Sequence, residues 1–254
     1  MVRLGQNFLA DPNLLDAIVR DAALAPDDVV LEVGAGEGVL SERLAAVAAH
    51  LHSVEIDRRL EPALANLAAR PGVDLHWGDA MKVDLAALRP APTAMVANLP
   101  YAVATPLILR TIELLPELAS WTVMVQLEIA ERLRAAHGSR TYGSPSVLVQ
   151  LACEVELARR VDPAVFKPRP RVASAILRLR RTGPAAPPAT RDLVRAAFAH
   201  RRKSLARSLE HARPGSLAPA RAALAELGLA EDARAEALSP AQFAALSAKL
   251  QAQA

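Results

Sequence analysis

The sequence predicts an α/β fold, with helices covering a mainly parallel sheet, followed by a small all-helical domain. Short apolar runs alternate with helical patterns from residue 29 onward, which is the order expected of a parallel sheet. A glycine-rich loop follows the first apolar run and opens a helix. After the proline-rich stretch 182–190, Ala, Leu and Arg recur at helical spacing to the end of the chain.

Each element follows from its local pattern. Apolar runs predict strands at 29–33, 52–56, 73–76, 94–98 and 121–126. Apolar positions at helical spacing predict helices at 39–48, 60–69, 106–114 and 128–134. Two further strands, 153–161 and 173–179, have no obvious helix between them. We therefore expect them to form an antiparallel hairpin at the edge of the sheet.

The domain limits come from the proline-rich stretch. Residues 182–190 contain three prolines and one glycine, which predict a linker between domains at 1–181 and 191–254. Breaks at 214–215, 228 and 239–240 divide the second domain into helices.

Composition excludes several classes of protein. The chain has 254 residues, of which 52% are hydrophobic and 3% aromatic. No apolar run approaches the length of a membrane span, and no signal-peptide pattern opens the chain, so we expect a cytoplasmic monomer with no membrane partner. The single cysteine, Cys153, excludes an internal disulfide. The six histidines are scattered along the sequence, and no metal site is expected.

The positive charge is concentrated in one stretch. Residues 159–207 contain 14 Lys and Arg against two acids, a net charge of +12, whereas the whole chain carries only +3. This asymmetry favours a polyanionic partner such as a nucleic acid. The alternative is a solvated surface that is rich in arginine.

The glycine loop indicates a nucleotide-like ligand. Gly34, Gly36 and Gly38 allow a sharp turn and a close approach of the backbone to a ligand. A dinucleotide fingerprint would place its third glycine at position 39, which is Val39 here. A dehydrogenase is therefore disfavoured, and no catalytic His or Lys is evident near the loop.

Two acids follow the next two strands. Glu55 ends the second strand, where a carboxylate can accept hydrogen bonds from both hydroxyls of a ribose. Asp79 follows the third strand, where it could accept from an adenine amino group. The alternatives are a surface charge for Glu55 and a helix cap for Asp79.

Residues 98–101 read Asn-Leu-Pro-Tyr and follow the fourth strand. The Asn98 side-chain oxygen and a nearby backbone carbonyl form two acceptors, which an amino group with two hydrogens would satisfy. Tyr101 offers a flat face on which a base can stack. The alternative is a strand-terminating turn with a partly buried tyrosine.

With these segments in place, the chain resembles the ribosomal RNA adenine dimethyltransferase family. The matching segments span nearly the whole chain: 5–9 with Asp11, 34–38, 55–57, 78–81, 98–101, 141–143 with 146–150, 166–172 with Ser174, and Phe198 with 201–205. The basic N-terminal extension common in the family is nearly absent, because only four residues precede the first segment.

The resemblance implies a Rossmann-like class I S-adenosylmethionine-dependent methyltransferase fold with a small C-terminal all-helical domain. The residues implied to bind S-adenosylmethionine are Asn7, Leu9, Gly34, Gly36, Gly38, Glu55, Ile56, Asp79, Ala80 and Asn98. Those implied to hold the target adenine are Asn98, Leu99, Pro100 and Tyr101, with Phe166 on its opposite face. From the placement of charge we expect Lys167, Arg169, Arg171, Arg201, Arg202 and Lys203 to bind RNA.

The implied activity is N6,N6-dimethylation of two adjacent adenines near the 3′ end of small-subunit rRNA, within a small ribosomal subunit or its precursor. The alternatives are a large-subunit rRNA methyltransferase that confers macrolide-type resistance, and a non-catalytic RNA-binding factor of ribosome assembly. In the methyltransferase interpretation, two acceptors on the amino hydrogens stabilise the charge that develops on nitrogen, and no dedicated general base is required.

Overall fold

The computed structural model describes residues 8–9 and 11–252, and these form two compact units. The first unit contains the residues up to Ala130 together with Val155–Arg181. The second contains Glu131–Glu154 together with the residues from Thr182 onward. The domain limits predicted from the sequence stay a prediction, and the grouping of 131–154 with the later helices has no counterpart in the local sequence pattern.

The elements are numbered in chain order. The strands are β1 (Phe8–Leu9), β2 (Val29–Val33), β3 (His50–Glu55), β4 (Val73–Trp77), β5 (Ala94–Asn98), β6 (Ser120–Gln126), β7 (Cys153–Val161), β8 (Phe166–Lys167) and β9 (Ser174–Arg181). The helices are α1 (Pro12–Ala22), α2 (Val39–Leu44), α3 (Glu61–Ala68), α4 (Ala104–Leu114), α5 (Leu127–Leu133), α6 (Ser144–Gln150), α7 (Pro188–Phe198), α8 (Leu205–Ala212), α9 (Leu217–Glu226) and α10 (Pro240–Ala252).

The main sheet confirms the predicted α/β class. Its strand order is β4-β3-β2-β5-β6-β9-β7, and the five strands from β4 to β6 run parallel to their neighbours. β9 is antiparallel to β6, with Ser120 opposite Arg180 and Gln126 opposite Ser174. The last two predicted strands therefore occupy one edge of the sheet, as expected. The parallel arrangement brings the carboxyl ends of β2, β3, β4 and β5 to the same edge.

Burial explains the composition of the central strands. All five residues of β2 are buried, which is the pattern of a parallel strand that is covered on both faces. A separate two-stranded sheet pairs β1 with β8, so that Leu9 lies opposite Phe166.

Three helical features differ from the sequence prediction. The predicted helices did not include α1 or α6, although Asp11 accepts hydrogen bonds from two backbone amides at the start of α1 and Pro12 stands at its first turn. α7 begins at Pro188, inside the predicted linker 182–190. Proline is tolerated there because the first backbone N–H groups of a helix have no intrahelical acceptor.

The second unit has an aromatic core of its own. Tyr142 is fully buried, packs edge-on against Phe198 with ring centroids 5.9 Å apart, and donates a hydrogen bond to the carbonyl of Leu238. Phe198 in turn contacts Phe243, with ring centroids 5.8 Å apart. Three of the few aromatic side chains in this sequence therefore hold one set of helices together.

Within the described residues, no helix combines the length and the apolar character that a membrane crossing needs.

Arg181 ties the end of β9 to the end of α4 in the first unit. Its guanidinium donates to the carbonyls of Leu118, Leu115 and Ile112 at 2.6, 3.0 and 3.3 Å. It also lies over the ring of buried Trp121, 5.1 Å from the centroid. Arg181 thus donates to one carbonyl in the last turn of α4, that of Ile112, and to two carbonyls in the segment that follows the helix.

Replacing Arg181 with alanine should lower the free energy of unfolding by about 2 kcal/mol or more, because charged hydrogen bonds to half-buried carbonyls are lost together. Urea denaturation followed by circular dichroism measures the change. The exposed Arg70 supplies the control, since Arg70→Ala should change stability by no more than about 0.5 kcal/mol. Equal effects of the two substitutions would contradict this role.

Candidate functional site

A cavity of about 450 Å³ opens at the carboxyl edge of the parallel strands in the first unit. The loops that follow β2, β3, β4 and β5 all contribute to its wall. The predicted site residues among its lining are Leu9, Gly34, Gly36, Glu55, Ile56, Asp79, Ala80, Asn98, Leu99, Pro100 and Tyr101. The expected convergence of strand ends on one crevice is therefore present.

Gly34 brings two walls of the cavity close together. Its φ is +86°, in the left-handed region that glycine adopts without a steric penalty. A Cβ at this position would lie 3.6 Å from the backbone oxygen of Asn98 and 3.7 Å from the ring of Pro100. These are ordinary contact distances, so the left-handed backbone is what favours glycine here, and the β2 loop lies directly against the segment that follows β5.

Gly38 has a different role from the one predicted. It lines no part of the cavity, and it stands at the N-terminus of α2 with φ +83°. A Cβ there would come within 2.9 Å of a methyl group of Leu64. The left-handed backbone, together with this contact to α3, accounts for glycine here, and direct contact of Gly38 with a cofactor stays a prediction.

The Glu55 carboxylate organises the backbone on one side of the cavity. One oxygen accepts hydrogen bonds from the N–H groups of Ile56 and Asp57, at 2.9 and 2.8 Å, and the other accepts from Gly36 at 2.9 Å. Glu55 is only 3% exposed. A carboxylate offers about four acceptor positions, so these three bonds leave room for one further donor.

Asp79 lies across the cavity from the glycine loop, after β4. One of its oxygens accepts a hydrogen bond from the N–H of Met81 at 2.9 Å, and the side chain is 37% exposed. The capping alternative thus describes part of its role, since the bond holds the turn after β4. The neighbouring Gly78 N–H donates to the Glu55 carbonyl at 2.8 Å, which connects this turn to the end of β3.

Asn98 to Tyr101 form a hydrogen-bonded turn at the end of β5. The Leu99 N–H donates to the carbonyl of Met124, and the Pro100 carbonyl accepts from the N–H of Val103, both at 3.1 Å. The Tyr101 hydroxyl is 2.6 Å from the Oγ of buried Ser174 at the start of β9. Tyr101 is therefore held at its outer end while its ring lines the cavity.

Two predicted residues lie elsewhere or outside the described chain. Phe166 is 2% exposed and packs in the hydrophobic cluster that includes Leu9 and Leu15, rather than in the cavity wall. Its proposed stacking against an adenine stays a prediction. Asn7 falls outside the described residues.

The predicted RNA contacts divide between the two units. In the first unit, Lys167 is exposed at the end of β8, and Arg169 and Arg171 are exposed between β8 and β9. In the second unit, Arg202 is exposed and Lys203 pairs with His211.

Arg201 is engaged by its own unit. Its guanidinium donates to the carbonyls of Arg140 and Tyr142, at 3.0 and 3.1 Å, and lies 3.6 Å from Glu236. These bonds give Arg201 a structural role that its position in a basic sequence run did not indicate.

Glu32 lies beneath the glycine loop and was given no role by the sequence analysis. It is 1% exposed, and one oxygen accepts hydrogen bonds from Ser41 and Ser53, at 2.5 and 2.7 Å. Its other oxygen is buried without a hydrogen-bond partner among the described residues. Burial raises the pKa of Glu32 to about 7, and the nearby charge of Glu55 adds to this effect.

Leu15, Val103 and Ser174 are further residues at this site to which sequence reasoning gave no role. Leu15, on α1, and Val103, before α4, line the cavity, while Ser174 positions Tyr101 from 73 residues away. The Asp11-Pro12 start signal could have revealed α1 and hence Leu15. Nothing in the local sequence indicates the partner of Tyr101.

Known proteins share both the sequence and the fold of this chain. The sequence model of a family described as ribosomal RNA adenine dimethylase matches residues 2–252. A ribosomal RNA small subunit methyltransferase A of Rubrobacter xylanophilus is 47% identical over 248 residues, which cover 96% of this chain and 92% of that protein. The protein of the same name from Thermobifida fusca is 43% identical and covers 96% and 88%.

Two solved structures extend the similarity to the whole fold. A dimethyladenosine transferase from Plasmodium falciparum matches with a TM-score of 0.80 at 26% identity, covering 94% of this chain and 95% of that one. The 23S rRNA methyltransferase ErmE matches with a TM-score of 0.70 at 30% identity, covering 96% and 100%. The Rossmann-like methyltransferase fold predicted from the sequence is confirmed.

The buried carboxyl of Glu32 should make stability depend on pH. Its folded pKa of about 7 exceeds its usual value of 4.5, so its contribution to stability is complete below pH 4.5 and is lost as the pH rises through 7. Glu32→Gln cannot ionise. Relative to the wild type, we expect its free energy of unfolding to rise by up to about 3 kcal/mol between pH 5 and pH 8.

Urea denaturation across this pH range measures the difference, and Glu117→Gln, on an exposed glutamate, is the control that should parallel the wild type. Parallel curves for Glu32→Gln and the wild type would contradict the raised pKa.

Proposed function

The chain belongs to the ribosomal RNA adenine dimethylase family, and on that basis we propose that it dimethylates the N6 atoms of two adjacent adenines near the 3′ end of small-subunit rRNA. The methyl donor is S-adenosylmethionine, and the role is in ribosome biogenesis. One observation carries the proposal for this chain: Asn98 to Tyr101 line the same cavity as Gly34, Glu55 and Asp79.

The cavity fits S-adenosylmethionine in size and in the chemistry of its walls. Glu55 has acceptor capacity for one further hydroxyl of a ribose, and Asp79 has one carboxylate oxygen besides that bonded to Met81. The left-handed Gly34 keeps a side chain out of the space between the two loops. When bound, S-adenosylmethionine supplies an electrophilic methyl group on a sulfonium.

The adenine amino group is gripped by two oxygens after β5. The Asn98 side-chain oxygen is the first acceptor. The Leu99 carbonyl is favoured over that of Pro100 as the second, because the Pro100 carbonyl already accepts a hydrogen bond from Val103. The Leu99 N–H is bonded to β6, the Leu99 side chain is buried and the next residue is a proline, so the Leu99 carbonyl is held in place before the substrate arrives.

This grip makes the amino nitrogen a better nucleophile. Its lone pair is delocalised into the purine ring, and two acceptors on its hydrogens draw it towards tetrahedral geometry. They also stabilise the positive charge that develops as the nitrogen takes up the methyl group. The displaced proton leaves to water after transfer, and the chain needs no dedicated general base.

The first methylation reduces the number of hydrogen bonds that the amino group can donate to these two acceptors. A monomethylated amino group has one hydrogen and can satisfy one of the two acceptors. The second transfer therefore relies more on Tyr101, whose ring is fixed by the bond between its hydroxyl and Ser174. Stacking of a base on such a ring contributes roughly 1 to 3 kcal/mol.

The target base must leave its stack, which costs least in a loop or a single strand. Lys167, Arg169 and Arg171 are suited to hold the flanking phosphates because Arg171 precedes Ser174 by three residues. Three residues of extended chain span at most about 11 Å, so Arg171 lies near Ser174, to which the Tyr101 hydroxyl is bonded, and Lys167 and Arg169 precede it on the same segment. Phosphate contacts position the RNA without reading its sequence.

The small-subunit substrate is favoured over the large-subunit alternative by similarity. The chain is 47% identical to the small-subunit enzyme of Rubrobacter xylanophilus and 30% identical to ErmE, which acts on 23S rRNA. A non-catalytic assembly role would leave the acceptor pair of Asn98 and Leu99 without a purpose.

Asn98→Ala should reduce methyl transfer by about 100-fold or more, because one of two acceptors in the transition state is lost. S-Adenosylmethionine affinity should fall much less. The rate of methyl transfer is measured in single-turnover experiments on an RNA hairpin from the 3′ end of small-subunit rRNA. The affinity for S-adenosylmethionine is measured by calorimetry. Near-normal transfer by this variant would refute the proposal.

Tyr101→Phe is the matched control at the same site. It keeps the stacking ring and loses only the hydroxyl bonded to Ser174, so it should retain activity within about tenfold of the wild type.

A large-subunit RNA hairpin, tested in parallel, separates the two substrate classes. Preferential methylation of that hairpin would favour the resistance alternative.

Substitution of Lys167, Arg169 and Arg171 by alanine should weaken RNA binding and its dependence on salt. On a single strand, three lost phosphate contacts should reduce the slope of log K against log[salt] by about 2. Filter binding over a range of salt concentrations measures this. S-Adenosylmethionine affinity should not change, and Arg70→Ala is the control for an exposed cation elsewhere. An unchanged slope would exclude these side chains from the RNA interface.

A further inference from the structure

Three histidines and one aspartate meet on one face of the main sheet, where β3 pairs with β4. The parallel register aligns His52 with Asp74 and Val54 with His76. Because side chains alternate along a strand, His50, His52, Asp74 and His76 all project from the same face. The histidines that are scattered along the sequence are thus brought together by strand pairing.

The polar atoms of this cluster have the spacing of metal ligands. His50 Nε2 lies 2.9 Å from Asp74 Oδ2, and His52 Nδ1 lies 3.6 Å from the same oxygen. One ligand atom from each of His50, His52 and Asp74 can be chosen so that all lie within 4.8 Å of one another. Tetrahedral zinc, with bonds of about 2.0 to 2.2 Å, holds its ligand atoms roughly 3.4 Å apart.

His52 is already oriented as a ligand. Its Nε2 lies 2.9 Å from the Pro90 carbonyl, which can only accept, so the ring proton is on Nε2. The lone pair of Nδ1 therefore points towards Asp74 and towards His76 Nε2, which is 3.2 Å away. A backbone acceptor on the far nitrogen is the usual support of a metal-binding histidine.

The cluster is closed on one side and open on the other. His50 presents Nε2 as a ligand atom in the tautomer whose ring proton is on Nδ1. His52 is 1% exposed while Asp74 is 49% exposed, so the cluster has a closed floor and an open side for entry of an ion.

We propose that His50, His52 and Asp74 bind one zinc ion, with water as the fourth ligand. Two imidazoles and a carboxylate suit zinc, whereas magnesium and calcium prefer shells of oxygen. The expectation of no metal site rested on the single cysteine and on the scattered histidines, and neither excludes ligands that are brought together by strand pairing. The ion would clip β4, which is an edge strand, to β3.

Calorimetric titration of zinc into the untagged, full-length protein, stripped of metal with a chelator, tests this site. We expect one ion per chain. His50→Ala and Asp74→Asn should each weaken zinc binding by at least about 100-fold, since a ligand matters at least as much as its supporting partners. His137→Ala, on an exposed histidine outside the cluster, should bind zinc as the wild type does.

Thermal unfolding gives a second, independent measurement. Zinc at 100 times its dissociation constant should raise the Tm of the wild type by roughly 5 to 10 °C, and this rise should be absent in His50→Ala and Asp74→Asn. The Tm without zinc shows that each variant is folded. Wild-type binding weaker than about 10 μM, or equal affinity in the wild type and both ligand variants, would overturn the proposal.

Discussion

The side-chain carboxylate of Glu55 accepts hydrogen bonds from backbone N–H groups in the loops after β2 and β3. The backbone carbonyl of Glu55 accepts a further hydrogen bond from the N–H of Gly78, after β4. Three of the loops that surround the cavity are therefore held through one residue. Glu55 therefore differs from an exposed acid whose carboxylate is available only to a ligand, because three hydrogen bonds to its carboxylate come from the backbone of the protein itself. Loss of this carboxylate would disturb the cavity wall as well as any contact with a ribose.

The segment after β5 is joined to the same framework by steric fit rather than by charge. The left-handed turn at Gly34 lays the β2 loop against the carbonyl of Asn98 and the ring of Pro100. In the proposed reaction, the loop for the methyl donor and the loop for the adenine are thus in van der Waals proximity. Methyl transfer depends on such positioning, since well-oriented groups can contribute about 7 to 11 kcal/mol.

Features with local causes were predictable from the sequence, and those made by distant residues were not. The glycine loop, Glu55, Asp79 and Asn98 each lie at or just after the carboxyl end of a parallel strand, and the rule that such ends meet at one edge of the sheet brought them together correctly. By contrast, the roles of Arg181 and Arg201 depend on carbonyls that are remote in sequence. Leu9 and Leu15, which pack in the same hydrophobic cluster as Phe166, are also remote from it in sequence. The residue types along the chain do not indicate such distant partners.

Strand β3 carries two of the proposed zinc ligands in its amino-terminal half and Glu55 at its carboxyl end. His52 and Glu55 are three positions apart, a distance of about 10 Å along the strand, and their side chains project from opposite faces of the sheet. A substitution of exposed Asp74 should therefore alter how β4 is joined to β3 while the backbone hydrogen bonds of the Glu55 carboxylate stay in place.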